Sequence, residues 1–194
     1  MASSINPALA LTAWVVLGLS TACTTPSATP SANSIAMAGP PFEEQPGVTV
    51  IAAEQLPDPT VGQVIYVPIY SEIYNFDQNR TFQLTATLSI RNTDLERPIV
   101  IETIDYYNSG GDKVKAYLSQ PIQLAPLVST AVVVDRDDTS GGSGANFILA
   151  WRADAAVSPP VVEAIMVNTD SQQGVSFVSP GRVIEREGAP QGDG

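Results

Sequence analysis

The stretch that decides the fold is FQLTATLSIR, residues 82–91. Apolar side chains at Phe82, Leu84, Ala86, Leu88 and Ile90 alternate strictly with polar ones. Successive side chains of a strand point to opposite faces, so this alternation predicts a β-strand with one buried face.

Further stretches rich in β-branched and aromatic residues flank this one, and short turn signals separate them. They cover residues 48–52, 63–70, 99–107, 114–118, 129–134, 147–152, 161–167 and 175–178. Pro68 lies within one of them, which predicts an edge strand or a bulge there. Many short strands at this spacing are typical of an all-β, immunoglobulin-like antiparallel sandwich of about 7–9 strands.

The order of features after Leu84 adds detail to this prediction. An alternating strand ends in Asn92-Thr93, the next ends in a glycine turn at residues 105–111, and a Leu-x-Pro segment at residues 124–126 precedes another strand. This order resembles the bacterial immunoglobulin-like domains of the adhesion-related, fibronectin-like kind. The resemblance implies a fold and no activity.

Four longer stretches are IYVPIYS (65–71), LSIRNTD (88–94), GGSGANF (141–147) and GRVI (181–184). They resemble an uncharacterised bacterial family known only as a domain of unknown function, and the resemblance covers residues 64–185. Members of that family are exported proteins that are often predicted to be lipoproteins. The resemblance therefore implies a one-domain exported protein, and it assigns no reaction and no catalytic residue.

The N-terminal segment predicts export. Residues 8–19 (ALALTAWVVLGL) are mostly apolar and lead into Ser20-Thr21-Ala22-Cys23, the small residues that a lipoprotein signal peptidase accepts before cysteine. The run is shorter than the roughly 20 apolar residues of a membrane span. We expect a lipoprotein signal peptide at 1–22 and lipidation of Cys23. The alternative is an ordinary secretory signal, because the segment lacks Lys and Arg.

The rest of the chain divides into a tether, one domain and a tail. Residues 23–47 are rich in Pro, Ser, Thr and Ala and predict a disordered tether. Residues 48–185 have the length of a single β-sandwich domain, and residues 186–194 predict a flexible tail. The lipid at Cys23 would anchor this domain to the cell membrane or outer membrane, facing the periplasm or the cell exterior.

Composition excludes several classes of function. The net charge of −11 disfavours a nucleic-acid partner, because phosphate backbones are also negative. The chain has no histidine, which excludes Ser-His-Asp and Cys-His nucleophiles and histidine-ligated metals. We expect no enzymatic activity and no cofactor. The expected partners are the membrane, through the lipid, and an envelope protein or glycan.

The loop at residues 135–146 (DRDDTSGGSGAN) is the main candidate for ligand or partner binding. Loops at the ends of a sandwich often carry recognition, and the turn at 108–112 is a second contact region. Three carboxylates together with flexible glycine carbonyls could act as ligands for calcium. They are weak candidates, because the spacing of the carboxylates does not match an EF-hand. The candidate residues are Asp135, Asp137, Asp138, Ser140, Gly141, Gly142, Ser143, Gly144 and Asn146, with Asp135, Asp137 and Asp138 as the possible metal ligands.

Two other residue sets offer alternatives. An aromatic set could stack against sugar rings, although Trp151 shares a strand face with Phe147 and Leu149 and is expected in the core. The set is Tyr66, Tyr70, Tyr74, Tyr106, Tyr107 and Trp151, of which the adjacent Tyr106 and Tyr107 must face opposite ways.

Carboxylates within the strands could support hydrolysis. Glu102 and Asp105 are three apart and are expected on opposite faces of their strand. Glu163 is expected either to pair with Arg91 or Arg152 or to lie at an exposed strand end. The sequence therefore predicts a lipid-anchored, non-enzymatic binding or assembly module. The alternatives are a calcium-dependent adhesion domain, a carbohydrate-binding domain and a carboxylate-based hydrolase.

Overall fold

The computed structural model describes Phe42 and residues 45–56, 58–169 and 174–187. This part of the chain is all-β, as predicted, but it has thirteen strands rather than about 7–9. The strands are β1 (Val48–Val50), β2 (Val61–Pro68), β3 (Glu72–Asn75), β4 (Asp77–Gln83), β5 (Thr85–Arg91), β6 (Ile99–Tyr107), β7 (Lys113–Ala116), β8 (Ile122–Leu124), β9 (Ser129–Val134), β10 (Asn146–Ala153), β11 (Val161–Asn168), β12 (Val175–Pro180) and β13 (Arg182–Glu187).

The strands form three antiparallel sheets in a sandwich-like arrangement. The largest has the order β1-β8-β6-β10-β2-β13, with β7 also paired to β6. The second has the order β12-β11-β5-β9, and β3 and β4 form a two-stranded hairpin. The chain passes repeatedly between the two larger sheets, so neighbours within a sheet are often far apart in sequence.

The core lies between the two larger sheets. The buried face of β5 carries Ala86, Leu88 and Ile90, and that of β10 carries Phe147 and Trp151. These side chains belong to one continuous hydrophobic cluster. The removal of such side chains from water is the main driving force for folding, and the alternating pattern of the sequence reflects this arrangement.

The decisive stretch is divided between two sheets. β4 ends at Gln83 in the hairpin and β5 begins at Thr85 in the four-stranded sheet. Leu84 lies between them, fully buried, and its N–H donates to the Ser71 carbonyl at 2.8 Å. The prediction of one buried face is confirmed, and the expectation of one continuous strand is wrong.

Pro68 does not mark an edge strand. β2 pairs with β10 on one side and with β13 on the other, so the expectation from proline is wrong. Pro68 is the last residue of β2, two positions beyond Tyr66, where pairing with β13 begins. A proline there interrupts no pairing with β13, because β13 does not extend that far.

The folded unit extends beyond both predicted boundaries. Phe42 packs against the core, and the Thr130 hydroxyl donates to Gln45 Oε1 at 2.7 Å, so the end of the predicted tether belongs to the domain. Arg186 and Glu187 are paired in β13, within the predicted tail. The predicted signal peptide, Cys23 and most of the predicted tether lie outside the described residues. Within the described ranges, no helix has the length and hydropathy to cross a membrane.

Candidate functional site

The two predicted contact regions, residues 108–112 and 135–146, lie side by side at one end of the sandwich. The Ser109 hydroxyl donates to the Gly141 carbonyl at 2.9 Å and accepts from the Gly144 N–H at 2.8 Å. The Ser109 N–H also donates to the Gly141 carbonyl, at 2.9 Å. Loops distant in sequence therefore form one surface, termed here the glycine-loop end.

The glycine half of the longer loop is held in place by the segment that links β2 and β3. The Gly142 carbonyl accepts from the Ser71 hydroxyl at 2.9 Å, and the Ala145 carbonyl accepts from the Ile69 N–H at 3.0 Å. Gly142 has a φ of 71°, which favours glycine. The carbonyls of Gly141 and Gly142 are thus hydrogen-bonded to Ser109 and Ser71, which makes them less available to a cation.

Tyr106 is buried directly beneath Gly141. A Cβ placed on Gly141 would lie 1.8 Å from the Tyr106 hydroxyl oxygen and 2.7 Å from the Ala145 Cβ. That hydroxyl is buried and has no hydrogen-bond partner among the described residues. Burial raises the pKa of Tyr106, and the negative charge of Asp138 raises it further. Ser71 donates its own proton to Gly142, so it is not a donor to Tyr106.

The acidic half of the loop forms a compact exposed turn. The Asp138 N–H donates to the Asp135 carbonyl at 2.9 Å, and the Ser140 N–H and hydroxyl both donate to Asp138 Oδ1. The Arg136 Nε lies 3.5 Å from Asp137 Oδ1. Among the described residues, no group of three or more acidic side chains is arranged to hold a metal ion. Calcium binding by Asp135, Asp137 and Asp138 stays a prediction.

Tyr117 lies within the electrostatic influence of this turn. Burial is the largest cause that raises the pKa of Tyr117, and together with the charge of Asp138, the neighbouring Tyr106 and the charge of Asp135 it brings the pKa to about 12. The Tyr117 ring packs edge-on against Phe147, with ring centroids 5.7 Å apart. The turn therefore carries a negative potential at the edge of the core.

The β3–β4 hairpin provides an aromatic tip of Tyr74, which belongs to the predicted aromatic set, and Phe76, which sequence analysis missed. Phe76 is 90% exposed and Tyr74 is 63% exposed. Phe76 also has a φ of 66°, in the left-handed region. The hairpin starts beside Ser71, whose hydrogen bond to Gly142 joins it to the glycine-loop end. Asn75 and Asp77, which flank Phe76, are turn-forming residue types, so the sequence did contain a signal for a turn at Phe76.

The predicted aromatic set is dispersed. Trp151 is buried, as expected, and its Nε1–H donates to Gln63 Oε1 at 3.3 Å. Tyr106 is fully buried and Tyr107 only partly, which confirms that they face opposite ways. Tyr70 packs against Phe177 with ring centroids 5.7 Å apart. These contacts do not form one stacking platform.

The three candidate carboxylates are each engaged in an ion pair. Glu163 pairs with Arg91 at 3.8 Å, as predicted. Glu102 Oε1 lies 2.5 Å from Arg152 Nη2, and Asp105 Oδ2 lies 3.0 Å from Lys113 Nζ.

The expectation that Glu102 and Asp105 face opposite sides is wrong. Asp105 is paired in register with Ile148, which shares the outward face of β10 with Arg152, the partner of Glu102. A bulge between β6 and β10 shifts the register opposite Ala150 and Trp151. One extra residue reverses the alternation of side chains, so residues three apart share a face.

The Asn92-Thr93-Asp94 turn lies at the opposite end of the sandwich. Asn92 is buried, and its Nδ2 donates to the carbonyls of Arg97 at 2.9 Å and Ala125 at 3.0 Å. The Asp94 carboxylate accepts from the N–H groups of Glu96, Arg97 and Ser158. These hydrogen bonds lower the pKa of Asp94. The predicted turn with side-chain to backbone bonds is confirmed.

Comparison with known proteins supports a family assignment and no activity. The family model described as "Protein of unknown function (DUF3124)" matches residues 62–184, more than half of the chain. No curated protein matches the sequence. The crystal structure of Thermotoga maritima 1070 is similar with 13% identity and a TM-score of 0.36, over 62% of this chain and 92% of that one. This similarity is too low to support an argument about fold or function.

Proposed function

Because the chain belongs to the DUF3124 family of proteins of unknown function, we propose its function from the geometry of the glycine-loop end. The protein is a non-enzymatic binding or assembly module, lipid-anchored through Cys23 and facing the periplasm or the cell exterior. The bridging of two loops by the single side chain of Ser109 carries this proposal. Recognition surfaces are commonly built from loops on a rigid scaffold in this way.

The surface offers two kinds of contact on a stable base. Asp135 and Asp137 are exposed and carry negative charge, while Phe76 and Tyr74 present apolar area on the hairpin that begins beside Ser71. Exposed aromatic residues are enriched at protein interfaces, and an acidic turn selects a basic partner. The partner that fits best is an envelope protein with a basic, partly apolar surface. A glycan is the alternative partner.

The anchor is a separate part of the proposal. Signal-peptide processing and acylation at Cys23 are tested by the intact mass of the protein from native membranes, with and without globomycin. An unacylated protein in untreated cells would refute the anchor. That result would not affect the proposed binding surface at the glycine-loop end, which is tested separately.

The binding surface is tested by crosslinked capture from native envelopes with the full-length protein. The variant Asp135→Lys/Asp137→Lys reverses charge at the acidic turn, and Phe76→Gly removes the aromatic tip. Asp154→Lys is the matched control, since Asp154 is an exposed carboxylate at the C-terminal end of β10. We expect both surface variants to lose partners that the wild type and the control retain. An unchanged partner set in both surface variants would exclude this surface.

A further inference from the structure

Two exposed leucines lie at the end of the sandwich opposite the glycine loop. Leu95 is 76% exposed and Leu127 is 61% exposed. They belong to different loops, between β5 and β6 and between β8 and β9. The Leu127 N–H donates to the Asp94 carbonyl at 3.2 Å, so these two loops are in direct contact.

The loops that present these leucines are held firmly. The Asp94 carboxylate accepts three N–H bonds, one of them from Ser158 in the loop before β11. The Asn92 side chain donates to the Ala125 carbonyl, which lies two residues before Leu127. Side chains on such a stiff support lose little further freedom on binding, which favours contact with a partner surface.

Leu127 occupies a backbone conformation that does not suit it. Its φ is 61°, in the left-handed region usually taken by Gly or Asn. Its side chain is exposed and contributes little to the core. A glycine would adopt this turn more easily, so local backbone preference does not account for a leucine here.

The N-terminal chain joins the domain beside Leu127. The Gly47 carbonyl accepts from the Ala125 N–H at 2.9 Å, and a Cβ on Gly47 would lie 2.5 Å from Val128 Cγ2. A flexible chain of the length that separates Cys23 from Gln45 would have a root-mean-square span of about 25 Å. The eight residues of β10 span about 27 Å, so the opposite end of the domain lies about that much farther away.

We propose that Leu95 and Leu127 form a membrane-contact tip that rests on the bilayer holding the Cys23 lipid. This inference depends on the anchor in the proposed function. The tether keeps the tip at a high local concentration near the bilayer, so a contact made by two leucines suffices. A second copy of the chain is a poorer occupant, because each copy carries a net charge of −11. Beside Leu95, Glu96 and Arg97 balance each other in charge, and the one further negative charge, on Asp94, is stabilised by three N–H groups.

The experiment uses the full-length acylated protein in vesicles of phosphatidylcholine. An environment-sensitive fluorophore is attached at Leu95→Cys, whose thiol is the single free one once Cys23 is acylated. A second sample carries the fluorophore at Asp137→Cys, at the glycine-loop end. Brominated phosphatidylcholine then quenches a fluorophore that contacts the acyl region. We expect quenching and a blue shift at position 95 and neither at position 137.

A second pair of variants tests the role of Leu127 while preserving the fold. Leu127→Gly and Phe76→Gly each remove an exposed apolar side chain from a left-handed position, at opposite ends of the domain. In the Leu95→Cys background, Leu127→Gly should reduce quenching and Phe76→Gly should leave it unchanged. Equal quenching in the labelled Leu95→Cys protein and in both of its double variants would overturn the claim that Leu127 contacts the bilayer together with position 95.

The remaining outcomes separate the tip from the anchor. An acylated protein whose label at position 95 is not quenched would overturn the tip while the anchor stands. A protein without acyl chains would overturn both. A blue shift that depends on protein concentration and not on vesicles would assign the leucines to contact between copies and would also overturn the tip.

Discussion

A Cβ built on Gly141 would lie 1.8 Å from the hydroxyl oxygen of Tyr106, so the proposed binding loop rests directly on the hydrophobic core. Gly141 itself has a φ of −83° and a ψ of −36°, which any residue can adopt. The requirement for glycine is therefore one of space. This contact couples the shape of the glycine-loop end to core packing.

The first prediction concerns that contact. Gly141→Ala should lower the free energy of unfolding by about 3 kcal/mol, because the added methyl overpacks a filled site. Tyr106→Phe should be neutral or slightly stabilising, since the hydroxyl it removes is buried without a partner among the described residues. The double variant should recover part of the loss, as measured by urea unfolding. Strictly additive effects would contradict the contact.

Asn92 should be essential to the opposite end of the sandwich. Its buried side-chain amide donates to the carbonyls of Arg97, Leu124 and Ala125. Asn92→Ala leaves these acceptors unsatisfied and should cost about 1–3 kcal/mol in chemical unfolding. Asn79→Ala, at an exposed site in β4, is the control and should change stability by less than about 0.5 kcal/mol. Similar losses in both variants would argue against the network.

The Asp94 carboxylate should make stability depend on acid pH. Hydrogen bonds from Glu96, Ser158 and Arg97 lower the pKa of Asp94 from 3.8. A lowered pKa in the folded state stabilises the protein above pH 3.8, and this contribution is lost as the pH falls through the folded-state pKa.

The free energy of unfolding of wild type should therefore exceed that of Asp94→Asn by the largest amount at neutral pH, and this difference should shrink in acid. Urea unfolding at a series of pH values measures it, with Asp58→Asn as an exposed control. A difference that stays constant into acid would show that Asp94 acts through another interaction.

Tyr117 should make stability depend on alkaline pH. Burial, together with Asp138, Tyr106 and Asp135, raises the pKa of Tyr117 to about 12 from an ordinary value of 10. Because the folded-state pKa is the higher one, the contribution is complete below pH 10 and is lost as the pH rises through about 12. Tyr117→Phe should remove this part of the alkaline loss of stability. The phenolate absorbance of the folded wild type should also show a late-titrating tyrosine that the variant lacks, in addition to Tyr106, whose pKa is raised in both proteins.

The two glycine substitutions used as surface probes should preserve the fold. Leu127→Gly and Phe76→Gly relieve left-handed strain but increase the freedom of the unfolded chain. These opposing effects should leave the free energy of unfolding within about 1 kcal/mol of wild type. Thermal unfolding checks this, and Val132→Gly, at a buried position of β9, provides a destabilised reference. A loss as large as that of the reference would show hidden packing at the tips.

Most of the strands found from the sequence have one buried face, although β7, predicted at residues 114–118, is exposed along its whole length. β5 and β10 alternate between buried and less buried side chains, so their patterns are visible in the sequence. β13 is exposed along its whole length, and most of β4 is exposed as well. These strands form through pairing with neighbours. Composition carries little signal of such pairing, which explains why more strands are present than were predicted.

The candidate loop was identified by its composition, and its internal organisation was not. Aspartates and glycines at residues 135–146 predict an exposed loop. The sequence does not reveal that Ser109 and Ser71 hold the glycine half, because these contacts join positions 32 and 71 residues apart. The bulge that brings Glu102 and Asp105 to one face depends likewise on the register with β10. Such register is set by the packing of whole sheets.

The sequence by itself determined the all-β class, the burial of Trp151, the turn at Asn92 and the absence of histidine chemistry, because each follows from local periodicity or composition. Tertiary structure alone decided which loops share an end of the sandwich. It joined Ser109 to Gly141 at one end, and it brought Leu127 beside Gly47 at the other. The physical reason is that strand order and register arise from core packing and long-range hydrogen bonds, which no short stretch of sequence encodes.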